Sequence, residues 1–258
     1  MSGKKKIAVV TGASGGLGKE FIRLLLREEN VEEIWAIARN EKKLCALKKK
    51  GGGKIQVYPM DLSDRRALEN FEQVLRNSEI EITYLVNNAG YGAFGSYEDL
   101  DVEESLRMID VNCGAVVAMG LLCIPYMKRG AHVINIASQA SFQPLPYLNL
   151  YSASKAFVRS YSRALHIELK EKGISVTAVC PGWLDTGFFE RADIGAEKTI
   201  RRYRGMTKPM KVAVKALHDA KWGRDISVSG IYIKCGHILA KLLPQRVMIK
   251  LWLRQQRL

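Results

Sequence analysis

The chain has 258 residues and a formal net charge of +14, and this length suits one large α/β domain with a substantial core. No run of about eighteen or more apolar residues occurs, so we expect no membrane-spanning helix. Five cysteines without a C-x-x-C pair and four scattered histidines predict reduced thiols and no structural metal site.

The positive charge is concentrated in the C-terminal quarter. Residues 191–258 hold 16 Lys/Arg and 4 Asp/Glu, a net charge of +12, whereas residues 1–190 hold 24 and 22, a net charge of +2. This asymmetry indicates either a merely solvated surface or an acidic partner, such as a phosphate-bearing substrate, an acidic carrier protein or an anionic membrane face. Nucleic acid is not an expected partner, because no recognition motif accompanies the charge.

Short apolar runs alternate with amphipathic stretches along the chain. The apolar runs predict buried strands over 7–10, 34–38, 55–58, 82–86, 132–137 and 175–179. The amphipathic stretches predict helices over 17–28, 41–50, 64–76, 102–127 and 151–172. The alternation is typical of right-handed βαβ units in a Rossmann-type, doubly wound parallel sheet. With no visible linker or repeat, we expect a single domain over 1–258.

A glycine-rich loop, TGASGGLG, follows the first predicted strand and opens the first predicted helix. Gly12 permits the tight turn, Gly16 lets a pyrophosphate approach the backbone, and Gly18 allows close helix packing. The helix N-terminus offers free N–H groups and a positive dipole end to the anion. The loop therefore predicts a dinucleotide site.

The end of the second strand favours NADP(H) over NAD(H). An NAD-preferring site carries an Asp or Glu here to bind the ribose 2′-hydroxyl, but this chain has Ala38 followed by Arg39. A guanidinium is well shaped to hold a 2′-phosphate, which a carboxylate would repel. Ser14 in the glycine loop adds a hydroxyl donor.

A tyrosine and a lysine four residues apart, Tyr151 and Lys155, share one face of a predicted helix. We expect the ammonium to stabilise the phenolate and so lower the tyrosine pKa toward working range. A tyrosine tuned in this way exchanges a proton with a carbonyl or an alcohol near neutral pH.

The glycine loop, Asn87-Asn88-Ala89-Gly90, Asn112, Ser138, the Y-x-x-x-K pair and Pro181-Gly182 resemble, in order and spacing, the single-domain short-chain dehydrogenase/reductase family. The resemblance covers the chain from the first strand to about Thr186. It implies a nicotinamide-dependent oxidoreductase that interconverts a ketone and a secondary alcohol.

The resemblance also assigns roles to residues. It implies a catalytic set in which Tyr151 donates the proton, Ser138 binds the same oxygen, Lys155 binds the nicotinamide ribose and Asn112 supports a water. It implies that Asp61 contacts adenine and that Thr186 helps to hold the nicotinamide. The cofactor-binding positions are Gly12, Ser14, Gly16, Leu17, Gly18, Arg39, Asp61, Leu62, Asn88, Ala89, Gly90, Tyr151, Lys155, Pro181, Gly182 and Thr186.

Residues 187–210 occupy the place of the family's substrate-covering segment, and they combine aromatic groups with a cluster of arginines. This composition suits an apolar substrate with an anionic end. A 3-oxoacyl thioester and a steroid or bile-acid-like carboxylate both fit.

Residues 236–258 predict a basic amphipathic helical extension. Arg246, Lys250, Arg254 and Arg257 share one helix face, and an apolar group that includes Trp252 lies on another. Such a helix packs on its own domain or a dimer mate, grips a partner, or lies in a membrane interface.

The remaining expectations concern assembly and location. We expect a cytoplasmic enzyme, either free or peripheral to a membrane, that forms a homodimer through the helices carrying Asn112 and Tyr151, or a higher homo-oligomer. The alternative is a non-catalytic NADPH-binding sensor or scaffold that docks an acidic partner or a membrane through its basic C-terminus.

Overall fold

The computed structural model describes residues 3–258. Its sheet has seven strands: β1 (Lys5–Thr11), β2 (Glu33–Ala38), β3 (Ile55–Pro59), β4 (Ile80–Asn87), β5 (Met127–Ile136), β6 (Ser175–Cys180) and β7 (Ile226–Val228). They pair in parallel in the order β3-β2-β1-β4-β5-β6-β7. The predicted Rossmann-type fold is confirmed. The order reverses between β1 and β4, which places the binding crevice at the carboxyl ends of these strands.

The helices flank the sheet on both faces. They are α1 (Gly16–Leu25), α2 (Glu41–Lys50), α3 (Arg65–Arg76), α4 (Val102–Ile109), α5 (Ala115–Cys123), α6 (Asn149–Glu168), α7 (Phe188–Ala192), α8 (Pro209–Lys221), α9 (Ile231–Leu242) and α10 (Gln245–Gln256). One core cluster joins α1 and α8 to the sheet through Phe21 and Val212, and another joins α3 and α5 through Phe71 and Met119. Because both sheet faces are covered, the central strands are apolar on both sides.

Asn112 lies where the long crossover helix between β4 and β5 is interrupted. A π-helical turn, Asp110–Gly114, separates α4 from α5. Within the described residues, the run Val102–Tyr126 is long and apolar enough to cross a bilayer by length and composition. It instead runs beside the sheet, with Val116 and Met119 buried. The structure therefore gives this run a place in the packed domain.

The C-terminal extension differs in detail from the sequence prediction, because it consists of two helices and begins at Ile231 rather than at residue 236. The second of them, α10, packs on its own domain, with Met248, Trp252 and Gln256 buried. The Trp252 indole N–H donates to the Pro146 carbonyl at 3.1 Å. Trp252 is thus a packing anchor and is not free to insert into a membrane.

Candidate active site

A cleft of about 1240 Å³ opens at the carboxyl end of the sheet. Single small-ligand pockets are typically about 300–1,000 Å³, so this cleft has room for two ligands side by side. Its walls bring together the sequence-predicted residues Gly12, Ser14, Gly16, Leu17, Arg39, Asp61, Leu62, Asn88, Ala89, Gly90, Ser138, Tyr151, Lys155, Pro181, Gly182 and Thr186. Gly18 and Asn112 do not line it, and both lie behind its wall.

The glycine loop forms the floor of one end of the cleft. Gly12 has φ +61°, a left-handed conformation that favours glycine, and a Cβ there would stand 2.9 Å from the Ala89 backbone. A Cβ on Gly18 would stand 2.3 Å from the Gly12 carbonyl oxygen, so α1 approaches the loop closely. Gly15 is the N-cap residue of α1, and as a glycine it has no side chain to accept hydrogen bonds from the first-turn N–H groups. The free first-turn N–H groups of α1 are therefore available to an anion.

Thr11, the first residue of the glycine loop, fixes the loop that follows β4. Its hydroxyl accepts hydrogen bonds from the N–H groups of Asn88 at 3.0 Å and Ala89 at 3.1 Å. The Asn88 side-chain amide in turn donates to the carbonyls of Thr11 and Gly12 at 3.1 and 3.0 Å. This network holds the two sides of the crevice together. The threonine that opens the TGASGGLG loop is the available sequence signal for this role.

Asp61 has less freedom to contact a ligand than the family resemblance implies. Its carboxylate accepts hydrogen bonds from the backbone and hydroxyl of Ser63 at 3.0 and 2.8 Å, and it pairs with Arg107. Burial raises the pKa of this carboxyl, but the bonds from Ser63 and Arg107 outweigh burial and lower the pKa. Asp61 therefore lines the cleft as an ionised group whose two oxygens already have partners.

The chemical end of the cleft brings Ser138, Tyr151 and Lys155 together. Ser138 follows β5, and Tyr151 and Lys155 lie one turn apart in α6. The Lys155 ammonium lies 5.7 Å from the centre of the Tyr151 ring and donates to the Ile136 carbonyl at 2.8 Å. The Ser138 hydroxyl accepts from the Ala140 N–H at 3.1 Å, which leaves its own hydrogen free to donate.

The pKa of Tyr151 differs from the sequence prediction. Burial raises it to about 12, and hydrogen bonding with the Ser138 hydroxyl offsets this only in part. Lys155 is not among the groups that lower it, and burial lowers the pKa of the Lys155 ammonium itself to about 8. The protein groups alone thus keep Tyr151 protonated, the form that can donate.

Asn112 acts behind this set. Its amide accepts from the Tyr91 N–H at 3.0 Å and donates to the Tyr91 carbonyl and the Ser154 hydroxyl at 2.9 and 3.0 Å. A Cβ placed on Gly90 would stand 2.9 Å from the Asn112 Oδ1 and 3.1 Å from the Lys155 Nζ. Asn112 therefore joins the π turn to α6 and shares with Lys155 a space that only a glycine at position 90 leaves open.

An aromatic wall closes the cleft on the side of residues 187–210. The Tyr151 and Phe188 rings are 5.4 Å apart, and Phe94 contacts Phe188 and Trp183 at centroid distances of 6.2 Å. The Phe94 N–H donates to the Ala192 carbonyl at 2.7 Å, which fixes α7 over the cleft.

The C-terminal helices complete the wall through Tyr232, Ile233, Leu239, Met248, Leu251 and Trp252. No sequence motif predicts these residues as part of the site. The four-residue spacing of Met248 and Trp252 indicates one apolar helix face but not what that face meets.

Comparison with known proteins agrees with this geometry. The family model described as "short chain dehydrogenase" matches residues 6–195. An uncharacterised oxidoreductase of Staphylococcus aureus is 31% identical over 231 residues, which cover 89% of this chain and 96% of that protein.

Two solved structures show the same fold at lower identity. A short-chain dehydrogenase from Sphingobium yanoikuyae in complex with NADPH is 24% identical, with a TM-score of 0.77 over 95% of both chains. A short-chain dehydrogenase/reductase from Burkholderia phymatum in complex with NAD is 21% identical, with a TM-score of 0.78 over 93% of this chain and 94% of that one. The family match over residues 6–195 and the 31% identical Staphylococcus aureus oxidoreductase establish that the chain belongs to the short-chain dehydrogenase/reductase family of oxidoreductases.

Proposed function

We propose that the protein is an NADP(H)-dependent oxidoreductase that interconverts a ketone and a secondary alcohol. The observation that carries the proposal is the meeting of Tyr151, Ser138 and Lys155 in the same cleft as the glycine loop. When bound, a reduced nicotinamide supplies hydride. Tyr151, protonated because burial raises its pKa to about 12, holds the proton that the carbonyl oxygen receives. The Ser138 hydroxyl donates to the same oxygen and stabilises its developing negative charge.

The residues present fit a dinucleotide carrying several phosphates. Six cations line the cleft, namely Lys19, Arg39, Lys43, Lys155, Arg191 and Arg204, against one carboxylate, Asp61. Asp61 is already paired with Arg107. An excess of cations over carboxylates around a helix N-terminus favours a polyanionic ligand.

Arg39 and Arg191 support NADP(H) in particular. Arg39 follows Ala38, where a carboxylate would stand in an NAD-preferring site. The Arg191 guanidinium lies 3.7 Å from the centre of the Tyr91 ring and 3.6 Å from the Glu104 carboxylate. Its pKa is lowered by burial and then by the charge of Arg39, so the two guanidiniums face a common region. A phosphate between them relieves this repulsion.

The substrate end favours an apolar molecule with an anionic group. Leu145, Leu148, Trp183, Phe188 and Trp252 present apolar surface beside Tyr151. Arg204 lines the same cleft and is exposed. The next residue, Gly205, lies close to Tyr232, because a Cβ added at Gly205 would stand 3.1 Å from the Tyr232 ring. We assign the anionic end of the substrate to Arg204. A 3-oxoacyl thioester and a steroid or bile-acid-like carboxylate both satisfy this pattern.

Assembly and location complete the proposal. Leu106 and Leu121 on α4 and α5, and Phe157 and Ile167 on α6, are exposed apolar side chains on the helices proposed to form the homodimer. We place the enzyme in the cytoplasm. A purely cofactor-sensing role is less favoured, because it gives no reason for Tyr151, Ser138 and Lys155 to converge.

The test is oxidation of NADPH by the purified chain across a carbonyl panel of 3-oxoacyl thioesters, keto-steroids and small ketones, with NADH in parallel. Tyr151→Phe should abolish turnover while NADPH binding persists. The matched control is Tyr97→Phe, because Tyr97 is 84% exposed and does not line the cleft. A wild-type chain that binds NADPH but reduces none of the panel would support the sensor instead.

A further inference from the structure

The helix α9 turns an apolar stripe toward solvent. Ile231, Ile238 and Leu242 lie at intervals of seven and four residues, on one helix face. Their exposed fractions are 81%, 54% and 74%. An ordinary surface helix presents its apolar face to the core, whereas α9 buries only Ile233.

The following helix, α10, lines the same cleft as α9 and also carries exposed apolar side chains. Its Val247 and Leu251 are 41% and 47% exposed, while Gln256 fixes the far end by accepting from the Arg202 N–H and donating to the Arg202 carbonyl, both at 3.1 Å. We name Ile231, Ile238, Leu242, Val247 and Leu251 the C-terminal apolar face. Because α10 is anchored on its buried side and α9 is anchored through the buried Ile233, these exposed groups are held on a fixed support.

The charge around this face identifies its occupant. Residues 226–258 contain six basic residues and no Asp or Glu: Lys234, Lys241, Arg246, Lys250, Arg254 and Arg257. Each of these is exposed. A second copy of the same face would bring like charges together, which is unfavourable. An apolar surface bordered by lysine and arginine complements an anionic lipid surface, which takes the apolar groups below its headgroups.

The cleft reaches the surface at the same place. Tyr232, Cys235, Leu239 and Leu251 line the cleft and are also exposed. The opening between α9 and α10 therefore adjoins the C-terminal apolar face. A ligand entering there passes from that face to the aromatic wall beside Tyr151.

We propose that the C-terminal apolar face docks on an anionic lipid bilayer and that apolar substrate enters the cleft from the bilayer. The docking step stands on the exposed side chains and charge alone. The entry step rests on the proposed function.

The test is flotation of the full-length chain with vesicles of phosphatidylglycerol and phosphatidylcholine, and with vesicles of phosphatidylcholine only. We expect binding to the anionic vesicles and at least about tenfold weaker binding to the neutral ones. Ile238→Asn combined with Leu242→Asn should reduce anionic-vesicle binding at least about tenfold. Lys234→Glu combined with Lys241→Glu should do the same.

Matched controls are Val214→Asn with Trp222→Asn, which remove exposed apolar groups of α8 and its end, and Lys48→Glu with Lys50→Glu on α2. These should bind like the wild type. Thermal unfolding checks that every variant is folded. Absence of anionic-vesicle binding, or binding that the α9 variants leave unchanged, would overturn the proposal. Binding to an acidic carrier protein in the absence of vesicle binding would also overturn the proposal. So would a change of oligomeric state in the α9 variants in the absence of vesicle binding.

Turnover of a small water-soluble ketone separates this proposal from the proposed function. The α9 variants should retain it while losing turnover of a vesicle-embedded ketone at least about tenfold. If no ketone is reduced but the vesicle results hold, the docking stands and the proposed reaction fails.

Discussion

Lys155 donates a hydrogen bond from its ammonium to the carbonyl of Ile136 at 2.8 Å, and this bond joins the middle of the cleft to the end of β5. Ile136 is two residues before Ser138, so the bond fixes the lysine of α6 relative to the serine that follows β5. The Lys155 ammonium thus helps to fix the geometry of the site and also contributes a positive charge to it.

The pH dependence of reduction should report this proton. Burial lowers the pKa of Lys155 to about 8, so the ammonium is present below this pH and is lost as the pH rises through it. We expect kcat/KM for carbonyl reduction to be level near pH 7 and to fall with an apparent pKa near 8. The control variant Lys50→Met, at the exposed end of α2, should show the same fall of kcat/KM as the pH rises. A level profile through pH 9 would show that Lys155 does not limit the reaction.

Cofactor choice should depend on the end of β2. Arg39→Ser removes the guanidinium proposed to hold the 2′-phosphate, and hydrogen bonds to charged groups contribute about 1.5–3 kcal/mol. The ratio of NADPH to NADH specificity, measured as kcat/KM, should therefore fall at least about tenfold. Ala38→Asp should lower it further by repelling the phosphate. Arg66→Ser, an exposed change on α3, should leave the ratio unchanged, and an Arg39→Ser enzyme with an unaltered ratio would refute the assignment.

Gly18 in the glycine loop and Gly114 in the π-helical turn offer a matched pair of substitutions. Gly18→Ala would place a Cβ 2.3 Å from the Gly12 carbonyl oxygen, so the backbone must shift. Gly114→Ala meets no atom within 4 Å. We expect the first to weaken NADPH binding at least about tenfold, because it displaces the loop from the helix N-terminus, and the second to leave it unchanged. Titration of bound-cofactor fluorescence measures both, and equal affinities would contradict the role given to the loop.

Asp219 should contribute to stability. It is 1% exposed, and its carboxylate binds Lys215 at 2.6 Å and Arg224 at 3.1 Å. Breaking a buried pair costs about 3–5 kcal/mol, so Asp219→Asn should lower the free energy of unfolding by about 2–3 kcal/mol, since both cations can return to water. Asp225→Asn, which breaks the more exposed pair with Arg163, should cost less than about 1 kcal/mol. Urea unfolding at pH 7 compares them.

Acid should remove the contribution of Asp219 to the free energy of unfolding. Burial raises the pKa of this carboxyl, but the hydrogen bond and the charge of Lys215 help to outweigh burial, and the pKa is lowered. A lowered folded-state pKa contributes stability above the unfolded value, near 3.9 for Asp, that is lost as the pH falls through the folded value. The difference between wild type and Asp219→Asn should therefore narrow below about pH 4. A difference that stays constant with pH would mean that packing, not charge, carries the effect.

The sequence predicted the features that depend on local order along the chain. Alternating apolar runs predicted the parallel sheet, and the glycine loop with Tyr151 and Lys155 located the two ends of the cleft. The pKa of Tyr151 could not be predicted in the same way, because it depends on how deeply the phenol is buried and on which acceptor the Lys155 ammonium binds. The position of Trp252 in the cleft wall could not be predicted either, because the Pro146 carbonyl that accepts its indole N–H lies 106 residues away in the chain.

The most direct test of the account is a single turnover with NADPH carrying deuterium at the transferred C4 position, using the best ketone of the panel. We predict an alcohol with one deuterium on its carbinol carbon from the wild-type chain. Tyr151→Phe should give none although it still binds the labelled cofactor. Oxidation of NADPH without deuterium in the alcohol, or undiminished transfer by Tyr151→Phe, would contradict the account.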